Sequence, residues 1–528
     1  MNRTFTIAAV LFFVLSATIS SGASLSDQYA YYVEVPTLNE TIEADVLLRQ
    51  IANGKDIKYD NVVIVGDLDL RCMDQSICSE IILANSRIAG EMNLDNAILS
   101  KNFDVSGSTF FGPASFINCI FEGRSDFSGC RFIQEAEFGN ARFNDIVEFD
   151  SVQFDDIANF GNATFRKTSF SGAKFSKVCR FVDSRFIEDA EFLYVVFDEF
   201  AEFNDCIFFE YAFFKEAEFY DNVYFINSNF SGSSLFNNVQ FHGKVDFGDS
   251  KFQNAYFEGT SFSETVSFKN ASFGGDARFY EASFDGKADF SKVNFSRNSS
   301  FYDADFSGGG SFDEAVFNGH FSLCSADFSD LRVPWANIED RIVDDRETYT
   351  NLMRNYRDLG WYTDFGGCYY RYRDTVRLDK SWSRNGLSKA MDTLAWFYGY
   401  GVRPYRAIAF ILSLIVIFAV VYKIKGDIKR SEKIELNMGD TLIFTLKDLG
   451  QKKFQILFDQ EEGVENIDFK DSLYFSANTF VSRSTGTLCP QGISIQIAKA
   501  EQLIGIILFG LLLTYMTNQI YSYFQPPT

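Results

Sequence analysis

Residues 136–149 run AEFGNARFNDIVEF, with Phe138, Phe143 and Phe149 each preceded two places earlier by a small residue (Ala136, Ala141, Val147) and separated by polar ones. Gaps of five and then six fit neither the 3.6-residue period of a helix nor the two-residue period of a strand. The pattern is a repeat. From Phe110 to Phe317, thirty-nine Phe follow one another at five or six residues, mostly in alternation, so the underlying period is eleven. The phase slips twice, at Phe165, Phe170, Phe175 and at Phe247, Phe252, Phe257, Phe262, where a five replaces a six. The residue two before each Phe is always Ala, Ser, Val, Cys, Thr or Gly. Such a limit on size is steric: one large and one small residue point into a narrow interior while the Asp-, Asn-, Gly-, Ser- and Glu-rich remainder turns outside. A square solenoid meets this condition, with about twenty-two residues per coil and Phe columns along the axis.

The ends of such a rod expose strand edges and need covers. Residues 42–53, IEADVLLRQIAN, have helical apolar spacing before Gly54 and predict a capping helix within an N-terminal segment at 24–59. The rod itself is expected over 60–332, with roughly twelve coils and a length of roughly 60 Å. Pro334 and Trp335 end the repeat, and 333–403 reads as a helical collar.

Two later runs are apolar enough to span a bilayer. YRAIAFILSLIVIFAVVY at 405–422 predicts a transmembrane helix at 404–423, and EQLIGIILFGLLLTYMTNQIY at 501–521 predicts a second at 491–522. Between them come a connector at 424–469 and the segment KDSLYFSANTFVSRSTGTLCP at 470–490, too polar to span and too amphipathic for a plain loop. At the other end, residues 1–23 combine Arg3, an apolar run and the small residues Ser21, Gly22 and Ala23, the pattern of a secretory signal. An uncleaved anchor is the alternative reading, and either one puts the following domain outside the cytoplasm.

Composition changes the picture in three ways. The formal net charge is -23, and 101–330 holds 36 acidic against 18 basic residues, so no nucleic-acid partner is expected. Only His242 and His320 are present, each isolated, so no catalytic site, metal or cofactor is expected and the protein is read as a non-enzyme. Among the nine cysteines, Cys119, Cys130, Cys179 and Cys206 occupy the small-residue slot as buried filler, whereas Cys72 and Cys78 lie outside it and form a possible local disulfide. Residues 370–406 carry eight Lys or Arg against three acids, suiting either anionic headgroups or a solvated helix face.

The Phe series resembles the pentapeptide-repeat family, whose motif sets a large apolar residue two places after a small one. That resemblance implies an all-β right-handed quadrilateral β-helix, here with a looser coil because the family's usual spacing is five. An acidic rod that imitates DNA and a polysaccharide lyase are the other readings of such a rod. The signal-like N-terminus disfavours the first, and the lack of a concentrated basic cluster disfavours the second. Residues 400–522 resemble the two-span, pore-loop module of potassium-channel-like proteins. Asp471, Leu473, Tyr474, Phe475, Ser476 and Thr479 stand where that family has its pore helix, Pro490 in the following turn, and Gly505 and Gly510 where its inner helix has hinge glycines. The filter-like positions are then Thr479, Ser482, Arg483, Ser484, Thr485 and Gly486, of which only Gly486 matches a potassium filter. Gly399, Tyr400 and Gly401 spell part of that filter but precede the first span and read as a hinge. The resemblance implies a membrane ion channel in the lipid bilayer of the cell membrane, a homotetramer with an unknown permeant ion, and the signal-like N-terminus makes the rod extracellular. The alternative is a membrane-anchored surface interaction or structural protein without conduction.

Overall fold

A computed structural model describes residues 40–71, 76–430 and 467–524, with side chains as far as 514. The signal-like segment, Cys72, most of the connector and Glu461 lie outside the described residues.

The Phe repeat builds a parallel β-solenoid of about 13 coils. Each side is three residues long, in the order small, outward, Phe, and the sides are joined by corners of alternately two and three residues. In one coil the sides are Ser108–Thr109–Phe110, Ala114–Ser115–Phe116, Cys119–Ile120–Phe121 and Ser125–Asp126–Phe127. Partners lie one coil apart in parallel register, as in Phe110 with Phe132 and Ala114 with Ala136.

The five/six alternation is therefore an alternation of corner types, not a looser coil. In the two-residue corners the chain makes a hydrogen-bonded turn, as when the Cys119 amide donates to the Phe116 carbonyl (3.1 Å). Its second residue is left-handed: Asn118, Asn140 and Asn162 have φ of 58°, 57° and 56°. Only that residue has positive φ, the signature of a type II turn, which explains why Asn, Asp and Gly recur there. At each phase slip a three-residue corner loses one residue. Arg142–Glu148 then pairs with Thr164–Ser169, and Asn229–Leu235 with Lys251–Tyr256, each with a register shift at the corner. The columns stay aligned through both slips: Phe143, Phe165 and Phe186 still stack at 5.3 and 5.1 Å.

Inside, like faces stack ring on ring, for example Phe186 on Phe208 at 4.5 Å and 2°. Phe from opposite sides meet edge to face at the axis, as Phe203 meets Phe214 at 5.7 Å and 87°. Both arrangements match the quadrupole preference of aromatic rings. The small-slot residues are buried to a man, Ala217 and Ala282 among them. At several two-residue corners a polar slot residue reaches a carbonyl of the adjacent coil: Ser184 donates to Phe160 (2.6 Å) and Cys206 to Phe181 (2.9 Å). Burial pushes the thiols of Cys119, Cys130, Cys179 and Cys206 well up, as suits inert filler. Cys78, by contrast, is exposed, its thiol donating to the Ser76 carbonyl (3.5 Å).

Both ends are covered. Helix α1 (Ala44–Ala52) lays Ala44, Leu47 and Ile51 on the first coil and ends before Gly54 at φ 68°. It begins two residues later than its apolar spacing predicts, because Ile42 and Glu43 pair with Ile64 and Val65 as the first strand. After the last strand, Leu331–Arg332, come α2 (Trp335–Ile338), α3 (Arg346–Asp358), α4 (Tyr362–Asp379) and α5 (Trp382–Phe397). Helix α3 closes the rod with matched polar groups. Asn355 accepts from the Leu331 amide (3.0 Å) and donates to its carbonyl (2.7 Å), and Tyr356 donates to the Val333 carbonyl (2.8 Å).

Because the slot has no room, Ala217→Leu or Ala282→Leu should destabilise the rod by about 1–3 kcal/mol through overpacking. Phe225→Ala should cost about 3–5 kcal/mol through a cavity. Thermal or denaturant unfolding of the purified protein reads both, and wild-type stability in both Leu variants would show that the slot is not sterically limited.

Candidate functional site

Among the described residues, helices α6 (Pro404–Lys425) and α8 (Ser494–Phe524) contain two stretches long and apolar enough to cross a membrane, with mean hydropathy of 2.7 and 1.7 over their most apolar 18 residues. A turn at Gly399–Gly401 leads into α6, with φ of 77°, 51° and 78° at its three residues. It is the expected joint between α5 and α6.

Helix α7 (Phe469–Phe480) is capped by Asp468 and starts beside the end of α6 farthest from the rod, where Lys423 donates to the Ile467 carbonyl (2.5 Å). It then runs back alongside α6 until Phe480 packs on Ile411 and Ile415. Twelve residues rise about 18 Å, roughly half the length of α6. The chain then returns to the starting level, where Leu488–Pro490 pairs antiparallel with Ile428–Arg430. Arg430 and Asp471 form an ion pair there at 3.2 Å. The segment 467–490 is thus a hairpin that begins and ends at the side opposite the rod.

Two features of the spans hold this hairpin. Ser472, Ser476 and Thr479 share the face of α7 turned toward them and are all buried. Glu501 of α8, fully buried, accepts from Tyr422 of α6 (2.7 Å) and contacts the Ser476 hydroxyl, which also meets the Ile415 carbonyl (2.9 Å). One carboxyl therefore links all three helices. The sequence reading missed Glu501, although a lone acid heading an apolar run is itself a signal for a functional intramembrane group. The second feature is Gly505, where a Cβ would lie 2.0 Å from the Phe480 carbonyl. Helix α8 runs unbroken through Gly505 and Gly510. Gly505 is a point of close approach between hairpin and α8, and Gly510 faces open space.

Of the filter-like residues, Thr479 belongs to the buried face of α7, whereas Ser482, Arg483, Ser484 and Gly486 are exposed in the loop beyond it. The Ser482 amide donates to Thr479 (3.0 Å), the Arg483 amide to Asn478 (2.8 Å), and the Thr485 hydroxyl to the Leu488 carbonyl (2.8 Å). Ser482 and Gly486 have φ of 56° and 69°. These residues fold as two successive turns, unlike the extended stack of carbonyls that strips water from potassium.

Comparison with known families bears on the rod. A family model described as Pentapeptide repeats (9 copies) matches residues 94–142, 106–153, 127–171, 149–196, 203–251, 214–261, 236–283, 247–294 and 279–326. The chain therefore carries pentapeptide repeats, and they form the solenoid. No curated protein and no solved structure matches the chain.

Removing the Glu501 carboxyl in Glu501→Ala leaves Tyr422 without its buried partner, at a cost of about 1–3 kcal/mol. Faster backbone hydrogen exchange across 469–480 in the detergent-solubilised protein is the expected result. Glu501→Gln keeps hydrogen-bonding atoms in place and should exchange more slowly than Glu501→Ala. Gly505→Leu should loosen the same segment by driving a side chain into Phe480.

Proposed function

We propose that this is a pore-forming membrane protein, a homotetramer whose re-entrant hairpins surround a conduction path. The observation that carries this reading is the hairpin 467–490, which reaches half the depth of α6 and returns. Non-helical backbone at membrane depth is tolerated only where protein buries it or water lines it. In a single chain Ser482, Arg483 and Ser484 have neither. Packing several copies around a watery axis supplies both.

Selectivity follows from the loop. Ser484 stands where a potassium filter needs a glycine's torsional freedom, and Arg483, repeated in each copy, opposes cations at the axis. No strong preference for potassium over sodium is expected, and anions pass. The rod, wound in the right-handed sense that parallel crossovers favour, lies outside the cell, as a signal-like N-terminus requires, and the hairpin enters from the cytoplasmic side. Lys423, Lys425, Lys429, Arg430 and Lys433 support a cytoplasmic connector. The protein performs no enzymatic reaction in this reading.

Cross-linking in detergent should trap four copies, and the purified protein in planar bilayers should carry current. Under asymmetric KCl and NaCl, reversal potentials should show little cation discrimination, and Arg483→Ala should shift permeability toward cations. Sharp potassium selectivity would sink the placement of the loop at the axis. A monomer without current would favour a surface-anchored rod. Labelling of Glu461→Cys by an impermeant reagent in intact cells would reverse the assigned orientation.

A further inference from the structure

Helix α5 is amphipathic the wrong way round for a helix in water. Beyond a break at Asn385 (φ -132°, ψ 35°), its Leu387, Met391, Leu394 and Phe397 are 80, 63, 59 and 50 % exposed. Spacings of four, three and three put them on one face. The opposite face turns inward and is polar: Asp392 is buried, paired with Arg373 of α4 at 2.8 Å and with Lys380, and Trp396 lies under Arg377 at 5.0 Å. Charges thus hold α5 to the collar while its apolar side chains face away.

The position of α5 says what covers that face. At its end, Phe397 stacks on Phe410 of α6 at 6.2 Å, and the Tyr398 hydroxyl donates to the Leu508 carbonyl of α8 at 3.0 Å. The exposed stripe therefore adjoins the outward face of α6, where Ile408 and Leu412 are exposed, and ends beside α8. Arg403 and Arg406 mark the same level. They are held over Tyr370 at 3.7 and 5.2 Å, and Arg406 over Trp396 at 5.1 Å; no carboxylate within ion-pair distance of either is found among the described residues. Guanidinium groups seated on aromatic rings, beside a Leu-, Met- and Phe-rich helix face, are what a bilayer surface accommodates.

We propose that α5 is an interfacial helix, lying in the surface of the bilayer that α6 and α8 cross, with Leu387, Met391, Leu394 and Phe397 among the upper acyl chains and Arg403 and Arg406 at the phosphates. This rests on the reading of α6 and α8 as membrane spans. The rod is then held against the membrane surface by a second attachment beyond the spans.

The full-length protein, with its accessible native cysteines replaced, would carry one bimane label at Leu387→Cys, Leu394→Cys, Leu412→Cys or Arg357→Cys. Each would be reconstituted in phosphatidylcholine vesicles with and without acyl-chain bromination. Bromine should quench Leu387 and Leu394 labels about as strongly as the Leu412 label on α6, and leave the label at the exposed collar residue Arg357 unquenched. Quenching at Leu412 without quenching at Leu387 and Leu394 would overturn the interfacial helix and leave the spans standing. Loss of quenching at Leu412 as well would overturn the membrane reading itself. A disulfide between two copies of Leu394→Cys, with no quenching there, would assign the face to a neighbouring copy and overturn the proposal.

Discussion

From Phe110 to Phe317 each side of the solenoid has room for one phenylalanine ring and one side chain no larger than valine, and nearly everything else about that part of the rod follows from the limit. A three-residue side places its first and third residues inward, so the large and small positions are locked two apart. Ring-on-ring stacking between coils near 4.8 Å coincides with the spacing of paired strands, so the aromatic columns and the backbone ladders impose the same rise. Edge-to-face contact then brings opposite sides together at the axis. Few interactions beyond these are needed. The surface ion pairs between coils, such as Arg131 with Asp155 at 2.7 Å, are solvent-exposed and add little.

A rod built this way is uniform along its length, so its specific chemistry gathers where the repeat stops. At the C-terminal end, Asn355 and Tyr356 satisfy backbone groups of the final coil that a further coil would otherwise have met. The collar that carries them also supplies the aromatic and basic residues around Tyr370, Trp396, Arg403 and Arg406. Stiff repeats, a polar cap and an aromatic-basic joint thus lead without a long linker to α6.

In the apolar region the logic reverses: packing is cheap to vary there, and polar contacts carry the specificity. Glu501, Tyr422 and Ser476 form one buried junction among α6, α7 and α8, and Gly505 lets the hairpin's carbonyl end touch the span. A hairpin lying within a bilayer, as proposed, needs both, because its backbone groups and polar side chains must find partners there.

How much of this was legible depended on whether the signal was periodic. The position of the rod, its four short sides, the small slot and the buried cysteines could all be read from spacing, because the steric rule recurs from Phe110 to Phe317. The two helical caps and both apolar helices were visible from local pattern as well, although Ile42 and Glu43 went to a strand once Ile64 and Val65 offered a parallel edge. Spacing alone did not reveal that the five/six alternation reflects two corner types, since that depends on which residue takes positive φ. Nor could it place Gly505 against the Phe480 carbonyl, bring Glu501 to Ser476 across 25 residues, or turn the apolar face of α5 outward. Those outcomes depend on which groups meet in three dimensions, and a single non-repeating contact leaves no period along the chain.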